Sequence, residues 1–476
     1  MEFEAVIGME VHVQLNCKSK VFCGCSTNFH APPNTNVCSV CLGMPGAMPV
    51  LNREMVTKSV AVGLALDCTI SRWSKMDRKN YFYPDQSKNY QISQYDLPIN
   101  HDGFLDIEVD GKSKRIGITR AHMEEDTARN THTLGGGHSG VDFNRCGLPL
   151  LEIVTEPDIR SADEAFAFLT ELKQILQYLG VSDCNMEEGA LRAEANISIR
   201  PKGTEPFGTK TEVKNVASFS GTYKAIEYEI TRQTQVLNEG GKVIQETRGW
   251  DDDRGVTFSQ RAKESAHDYR YFPEPDLVPI VVDEAWEKSI HELQPELPAP
   301  RRARMVADYG LSVYDAGVLT QTRAMADYFE ATTALAPDAK KVANWITGDL
   351  QALISNAEGD IRVIKITPTQ LAAMINLIED GTISGKIAKE VLVDMFQSGD
   401  DPKAIIEAKG LVQISDTGEL EQRIAAVLAT HPAQVEEFRS GKEKVIGFLV
   451  GQVMKATQGK ANPKMVNEIL RKQLSN

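Results

Sequence analysis

Apolar and polar residues alternate with a two-residue period in several stretches of the first half of the chain, a pattern that predicts β-strands with one buried face. Near the N-terminus, Met9, Val11 and Val13 fall on one face, whereas Glu10 and His12 fall on the other. The same alternation returns in residues 115–125, 150–156, 191–200 and 210–214. A solvated polar face explains any one of these strands. Their recurrence favours an antiparallel sheet with an active polar side, because the strands of a parallel sheet are apolar on both faces.

Helical periodicity replaces this alternation between and after the strands. Ser161 and Glu164 form a capping-box pattern, and apolar residues at helical spacing follow, which predicts a helix that covers the back of the sheet. Farther on, Thr367-Pro-Thr-Gln370 combines a capping box with proline at the first helical position. Between these two regions, three closely spaced prolines predict a stiff linker, namely Pro295, Pro298 and Pro300.

These patterns predict an α+β protein of three domains, since 476 residues exceed what one compact core accommodates. Residues 1–293 are expected to form an antiparallel-sheet cradle domain with covering helices. This domain is expected to be followed by an all-α helical domain over residues 294–405 and a small α-helical tail domain over residues 406–476.

Composition narrows the class of protein. The chain has 42% hydrophobic residues, 25% charged residues and a formal charge of −14, which argues against wrapping nucleic acid along its whole length. It shows neither a signal peptide nor an apolar run long enough to span a membrane, so we expect a cytoplasmic protein with no membrane partner.

The last 38 residues differ from the rest, because they carry a net charge of +6 and leave −20 for the first 438 residues. A basic helical tail on an acidic body predicts nucleic-acid binding, with a solvated lysine-rich bundle as the alternative. The cations are Arg439, Lys442, Lys444, Lys455, Lys460, Lys464, Arg471 and Lys472.

Four of the eight cysteines lie within nineteen residues, as a Cys-x-Cys pair and a Cys-x-x-Cys pair. Two such pairs can place four thiolates on one tetrahedral zinc, and four protein ligands leave no open position for catalysis. We therefore predict a structural Zn²⁺ site at Cys23, Cys25, Cys38 and Cys41. The alternatives are four small core residues or a disulfide pair. The other four cysteines are interpreted as packing residues.

The polar sides of the predicted strands carry the residues of a phosphoryl-transfer site, in which a metal ion and cations neutralise a nucleotide. Among the acidic groups, the run after His122 can equally be a solvated turn. The predicted Mg²⁺ ligands are Glu10, His12, Glu124, Glu125, Glu152 and Glu212, and the predicted phosphate donors are Arg192, Arg200, Lys210 and Lys214. No G-x-x-x-x-G-K-[ST] or G-x-G-x-x-G motif occurs, so nucleotide binding requires another scaffold. The nearest match, over residues 381–386, is interpreted as a helix stop and restart.

Aromatic residues interleave with cations and amides in residues 77–95. Such a mixture can stack on a nucleobase while its cations contact phosphates, so Lys79 and Tyr81 are added to the predicted nucleotide-binding residues. A half-exposed aromatic strand has the same composition and is the alternative. A proline-spaced aromatic loop over residues 268–276 suits the rim of a site or an interdomain contact.

Several long motifs make the chain resemble the B subunit of the tRNA-dependent amidotransferase, the aspartyl/glutamyl-tRNA amidotransferase family. They are Val6-Ile-Gly-Met-Glu-Val-His-Val13, Lys79-Asn-Tyr-Phe-Tyr-Pro-Asp85, Tyr90-Gln-Ile-Ser-Gln94, His122-Met-Glu-Glu-Asp126, Leu151-Glu-Ile-Val154, Glu187-Glu-Gly-Ala-Leu-Arg192 and Asp268-Tyr-Arg-Tyr-Phe-Pro-Glu-Pro275.

The resemblance implies that ATP phosphorylates the side-chain carboxylate of Glu or Asp mischarged on tRNA(Gln) or tRNA(Asn). Ammonia from a glutaminase A subunit then displaces phosphate, and a small C subunit joins the other two. It also implies catalytic roles and magnesium binding for Glu10, His12, Glu125 and Glu152, and a zinc site that part of the family has. The family's tail domain binds tRNA, so the resemblance implies the same role for residues 406–476.

Two other hypotheses remain at this point. A non-catalytic scaffold would bind tRNA while a partner performs the chemistry, so it would not need gathered carboxylates. A stand-alone metal-dependent ligase for a small amino acid would turn over without tRNA.

Overall fold

A computed structural model describes residues 2–28, 30–131, 138–262, 269–411, 417–457, 461 and 463–475. The chain divides into two compact units, Met1–Leu297 and Pro298–Asn476. Asp268 of the aromatic loop and Lys460 of the basic tail lie outside the described residues.

A large sheet organises the first unit. The strands described there are β1 (Phe3–Gln14), β2 (Thr69–Ile70), β3 (Trp73–Ser74), β4 (Asp77–Asn80), β5 (Tyr90–Ser93), β6 (Asn100–Val109), β7 (Lys112–Glu125), β8 (Arg129–Thr131), β9 (Gly140–Asp142), β10 (Pro149–Thr155), β11 (Leu191–Pro201), β12 (Thr211–Lys214), β13 (Glu246–Asp251), β14 (Val256–Ala262), β15 (Phe272–Pro273) and β16 (Ile280–Val281). Twelve of them form the large sheet, in the order β14-β13-β12-β11-β1-β10-β7-β5-β4-β15, with β6 paired to β7 and β2 paired to β6, and the other four form the separate pairs β3 with β16 and β8 with β9. The pairings are antiparallel except for β12 with β13, which is parallel, so the predicted α+β class with an antiparallel-dominated sheet is confirmed.

Helices cover the apolar side of this sheet, as the sequence pattern predicts. They are α1 (Arg53–Ala65), α2 (Ala162–Tyr178), α3 (Phe219–Asn238) and α4 (Glu284–Glu292). Ser161 caps α2 by accepting a hydrogen bond from the backbone N–H of Glu164. Met9 and Val11 of β1 share one buried hydrophobic cluster with Phe168 of α2, so the polar residues of β1 are turned to the opposite side.

Strand register determines which polar residues share that opposite side, because residues directly opposite each other in adjacent strands point to the same face. His12 lies opposite Glu152 on β10 and opposite Arg192 on β11. Glu152 in turn lies opposite His122 on β7. Glu10 pairs with Glu194 on β11. Five strands, β7, β10, β1, β11 and β12, thereby contribute to one continuous surface, which we call the polar face.

The second unit is helical in the part that the structure describes. Its elements are α5 (Pro298–Tyr309), α6 (Val313–Leu319), α7 (Arg323–Thr333), α8 (Ala339–Trp345), a π-helical segment (Ile346–Leu350), α9 (Gln351–Asn356), α10 (Pro368–Glu379), α11 (Gly385–Ser398), α12 (Pro402–Lys409), α13 (Thr417–Thr430), α14 (Pro432–Arg439), a 3₁₀ segment (Glu443–Val445), α15 (Ile446–Ala456) and α16 (Pro463–Ser475). Two hydrophobic clusters lie within it, one built from α5 to α12 and one from α13 to α16.

Three predictions from the sequence fall in this unit. The capping box of Thr367 and Gln370 is present at the start of α10, and Ser384 caps α11 where a helix restart is predicted. Pro298 and Pro300, in contrast, lie in the first turn of α5 and not in a linker. Proline is tolerated there because the first backbone N–H groups of a helix have no intrahelical partner.

None of the helices in the described ranges combines the length and the apolar character that crossing a lipid bilayer requires.

Candidate functional site: an acidic and cationic face of the sheet

A buried group of two acids and two imidazoles lies at the centre of the polar face. His12 Nε2 is 3.4 Å from Glu152 Oε2 and 3.6 Å from Glu124 Oε1. From the other side, His122 Nε2 is 3.3 Å from the same Glu152 oxygen. Ligand atoms of His12, Glu124 and Glu152 all lie within 4.8 Å of one another. These three residues, which we call the central group, can therefore bind one metal ion.

Their charges differ because each residue has different neighbours. Burial opposes protonation of His12, but Glu152 and Glu124 outweigh it and raise the pKa of the imidazole to about 9. Burial similarly opposes ionisation of Glu152, yet His122 and His12 hold its pKa well below the usual value. The pKa of Glu124 is raised, by burial and by the charge of Glu152. A cation between the two acids would relieve their mutual repulsion.

A second acidic group includes Glu10, which lies two residues before His12 on β1. Carboxylate oxygens of Glu10, Glu194 and Glu212 lie within 4.8 Å of one another. Lys214 Nζ is 2.5 Å from Glu194 Oε2 and 3.5 Å from Glu212 Oε1, and Asn196 Nδ2 donates to Glu10 Oε1 at 2.7 Å. This group, which we call the lysine group, thus already contains a cation supplied by the protein.

Glu125 lies apart from both groups. It is paired with Pro149 in the register of β7 and β10, whereas its neighbour Glu124 is paired with Leu150, so the two acids point to opposite faces. Lys88 Nζ lies 2.8 Å from Glu125 Oε2, and the backbone N–H of Ile92 donates to Oε1 at 2.9 Å. The six predicted magnesium ligands are thereby divided among the central group, the lysine group and a separate ion pair, because strand alternation separates consecutive residues.

The predicted phosphate-binding cations are also distributed over the polar face. Lys79 lies over the ring of Tyr269 and near that of Tyr81, with Nζ 4.9 and 6.0 Å from the ring centroids. Burial lowers the pKa of Lys79, but Tyr271 and the acids of the central group raise it overall. The Tyr81 hydroxyl accepts a hydrogen bond from Gln86, and burial raises its pKa to about 12.

The remaining cations lie on and beyond β11. Arg192 Nη2 is 3.2 Å from Asp126 Oδ1, whereas Arg200 Nε is 2.7 Å from Glu4 Oε1 and so is engaged at the far end of the strand. Lys210 lines a cavity of about 270 Å³ together with Gly8, Glu10, Phe207 and other residues.

A second and larger cavity, of about 650 Å³, lies toward the opposite end of β1. Its lining includes Gln14, Arg145, Arg192 and Glu187. Gln14 is two residues beyond His12, whereas Glu10, which lines the smaller cavity, is two residues before it. The central group therefore lies between two cavities along the same strand.

The four clustered cysteines are brought together as predicted. Their Sγ atoms all lie within 4.8 Å of one another, and those of Cys38 and Cys41 are 3.9 Å apart. A tetrahedral zinc with Zn–S bonds of about 2.3 Å requires S–S separations of about 3.8 Å. A hydrogen bond from Cys23 lowers the pKa of the Cys41 thiol to about 5, and the same contact raises the pKa of Cys23. The remaining cysteines are buried.

Sequence reasoning left four residues out of the site. His122 and Glu194 occupy polar positions of strands already predicted, so alternation alone identifies them as members of the polar face. Asp126 and Arg145 follow the ends of regular strand patterns, and only the folded chain brings them beside Arg192.

Residues 5–288 match the sequence profile of the GatB/GatE catalytic domain, and residues 327–474 match that of the GatB domain. The chain therefore belongs to this family of amidotransferase B subunits. It is 57% identical to the B subunit of the aspartyl/glutamyl-tRNA(Asn/Gln) amidotransferase of Geobacter sulfurreducens over all of both chains. It is 55% identical to the protein of the same name from Carboxydothermus hydrogenoformans, over all of this chain and 99% of the relative.

Proposed function

We propose that this chain is the ATP-dependent and tRNA-dependent subunit of a glutamine-hydrolysing amidotransferase. It converts the side-chain carboxylate of Glu-tRNA(Gln), Asp-tRNA(Asn) or both into the amide. The observation that carries the proposal is the polar face itself, on which separate strands assemble buried metal ligands beside Lys79 and Arg192. Full-length similarity to proteins named as this subunit supports it.

The chemistry needs two steps, because a carboxylate is a poor acyl donor. One carboxylate oxygen attacks the γ-phosphorus of ATP, which forms a carbon–oxygen–phosphorus linkage and breaks the bond to ADP. The nitrogen of ammonia then attacks the carbonyl carbon, phosphate leaves with the bonding electrons, and the nitrogen loses a proton. Positioning and neutralisation of charge supply most of the catalysis in the first step.

The central group fits a magnesium ion. Ligand atoms on an octahedral Mg²⁺ are about 3–4 Å apart, and His12 Nε2 is 3.4 and 3.6 Å from its two acidic neighbours. The ion would neutralise the phosphate oxygens. Lys79 would add positive charge from one side, while His122 holds Glu152 in place through the 3.3 Å contact. Glu125, because it faces away, is not part of this proposed ligand set.

The smaller cavity suits the nucleotide. Gly8 leaves room for close approach to the backbone, the ring of Phe207 is 64% exposed and can stack on a base, and Lys210 lines the same cavity. Lys214 contacts Glu194, which lies opposite Glu10 of this cavity in the pairing of β1 and β11. Arg200 and Tyr81, which the sequence also suggested for the nucleotide, are engaged with Glu4 and Gln86.

The cysteine cluster is proposed as a structural zinc site. All four thiolates come from one segment, so the ion would replace the hydrophobic core that this short segment lacks.

The family resemblance supplies the proposed partners. A glutaminase A subunit provides the ammonia, a small C subunit completes the complex, and mischarged tRNA is the substrate. Because that substrate belongs to translation, we expect the protein in the cytoplasm. Lys442, Lys444, Lys455 and Lys472 of the tail are exposed. They are proposed to contact tRNA phosphates.

The decisive experiment measures ATP hydrolysis and amide formation by the purified complex, with and without mischarged tRNA. The proposal expects both to depend on the aminoacyl-tRNA. Hydrolysis that ignores tRNA would contradict the mechanism, and turnover of the free amino acid would favour a stand-alone ligase. A scaffold would be indicated if replacing His12 left amide formation intact.

A further inference from the structure

The larger cavity next to the central group is lined by charges of both signs. Arg129, Arg145 and Arg192 contribute guanidinium groups, whereas Glu187 and Glu188 contribute exposed carboxylates. A nucleotide carries only negative charge around its phosphates, so such a mixed lining does not match it. A zwitterionic group does match it.

Two of the arginines are held rigidly. Asp126 is only 3% exposed, and its carboxylate lies 3.2 Å from Arg192 Nη2 and 3.7 Å from Arg145 Nε. Arg145 also donates to the backbone carbonyls of Thr127 and Ala128, at 3.0 and 3.1 Å. One buried acid thereby fixes two guanidinium groups at the cavity wall, an arrangement suited to binding carboxylate or phosphate oxygens.

The pairing of strands in the sheet determines where Arg192 lies relative to the central group. Arg192 lies directly opposite His12 in the pairing of β1 and β11, so both side chains leave the same face about 5 Å apart at their origins. An anionic group bound by Arg192 would consequently lie next to the proposed metal ligands. Glu187 and Glu188 precede β11 and line the same cavity.

We propose that this cavity receives the aminoacyl end of the tRNA as a zwitterion, with its side-chain carboxylate at Arg192 and Arg145 and its α-ammonium group at Glu187 and Glu188. The assignment rests on the proposed function. It separates the two substrates, with the aminoacyl group entering from the Gln14 end of β1 and ATP from the Glu10 end. Glu187 and Glu188 become specificity-determining residues, and Asp126 is a positioning residue that acts through the two arginines.

The first test removes the positive charge of the substrate. Steady-state amidation by the intact complex is compared for Glu-tRNA and its N-acetylated form. In the unmodified complex, KM should be about tenfold higher for the acetylated substrate, because acetylation removes one charge-assisted contact. In the double variant Glu187→Gln with Glu188→Gln, KM for Glu-tRNA should rise similarly and acetylation should add little. Both acids are exposed, and substitutions at exposed positions usually change stability little, so we expect the double variant to fold. If acetylation raises KM as much in the double variant as in the unmodified complex, the proposal is overturned.

The second test compares the two cavities. Arg145→Met should raise KM for aminoacyl-tRNA by about tenfold and leave KM for ATP within about twofold, whereas Lys210→Met in the smaller cavity should do the reverse. A rise in KM for ATP with Arg145→Met would assign the cavity to the nucleotide and overturn the proposal. Thermal melting and complex assembly are checked for each variant, and Arg145→Lys provides a milder replacement that keeps the charge.

A third measurement separates the amino acid carboxylate from RNA phosphate as the anion that the arginines bind. Uncharged tRNA is used as a competitive inhibitor. Its inhibition constant should be the same with and without Arg145→Met if the guanidinium group binds the amino acid. An inhibition constant that rises together with KM would place RNA phosphate there and overturn the assignment. If the unmodified complex makes no amide at all, the proposed function fails. If that complex is active and the variants match it, only this inference fails.

Discussion

His12 lies directly opposite Glu152 in the antiparallel pairing of β1 and β10, and its Nε2 is 3.4 Å from Glu152 Oε2. Two residues that are 140 positions apart in the chain thus form the centre of the site. Both belong to strands whose other faces are buried in the core, so a rigid sheet determines the separation of the two side chains.

Replacement of the central group should abolish chemistry without abolishing substrate binding. Because His12 and Glu152 are proposed to hold the metal that neutralises the phosphates, His12→Ala or Glu152→Gln should lower ATP-dependent amide formation by at least about 100-fold. Affinity for tRNA should change by less than about twofold, because the proposed phosphate contacts lie in the tail. Glu108→Gln, at an exposed position of β6, is the matched control. A loss of tRNA affinity as large as the loss of amide formation would contradict the prediction that the central group acts in chemistry and not in tRNA binding.

Lys214 should be needed to keep three carboxylates together. With Lys214→Met, the acids of the lysine group would lie within 4.8 Å without their protein cation, and like charges at that distance repel. We expect a lower melting temperature, which millimolar Mg²⁺ partly restores. The melting temperature of the unmodified protein should depend less on Mg²⁺. Lys202→Met serves as control, since its partner Glu2 is largely exposed. A magnesium response no larger than that of the control would refute the prediction.

The cysteine cluster should determine metal content. Cys38→Ser or Cys41→Ser should reduce bound zinc from about one ion per chain to near zero and lower the melting temperature, since structural zinc binding contributes directly to folding free energy. Metal analysis and thermal unfolding measure the two effects. Cys68→Ala, at a buried cysteine outside the cluster, should retain zinc. Retention of zinc by the cluster variants would show that the four thiols do not bind it.

A pH-dependent contribution to stability is expected from Glu229 on α3. Its carboxylate is 0% exposed and accepts hydrogen bonds from Arg232 Nε at 2.9 Å and from Gln233 Nε2 at 3.1 Å. Burial raises the pKa of Glu229, but the hydrogen bonds from Arg232, Thr257 and Gln233 outweigh it and lower the pKa below its usual value. A group with a lowered folded-state pKa stabilises the fold above the unfolded pKa, and this stabilisation is lost as pH falls through the folded value.

Glu229→Gln should therefore cost about 3 kcal/mol of unfolding free energy at neutral pH, because it leaves the partly buried Arg232 and Arg248 without their buried carboxylate. The difference from the unmodified protein should shrink below about pH 4.5, where the unfolded state binds the proton first. Denaturant unfolding from pH 3 to 8 measures it, and Glu227→Gln, exposed on the same helix, is the control. If the difference in unfolding free energy between the two proteins stays constant from pH 3 to 8, ionisation of the Glu229 carboxylate is not its source.

Local sequence pattern predicted much of this molecule because the pattern reflects short-range physics. Alternation identified β1 and β11, Ser161 identified the start of α2, and Thr367 with Gln370 identified the start of α10. Each of these signals depends only on residues within a turn or a strand. The same alternation also implies that Glu124 and Glu125 cannot share a face, although the similar chemistry of the two acids suggested one ligand set.

The sequence by itself determined which residues of each strand are polar, where helices begin, and that four cysteines lie close enough to bind zinc. Only the tertiary structure decided that His12, Glu152 and His122 meet, that Lys214 neutralises a second set of acids, and that Asp126 holds Arg145 beside Arg192. The physical reason is strand register. Hydrogen bonding between distant segments sets which residues face one another, and no local periodicity encodes that pairing.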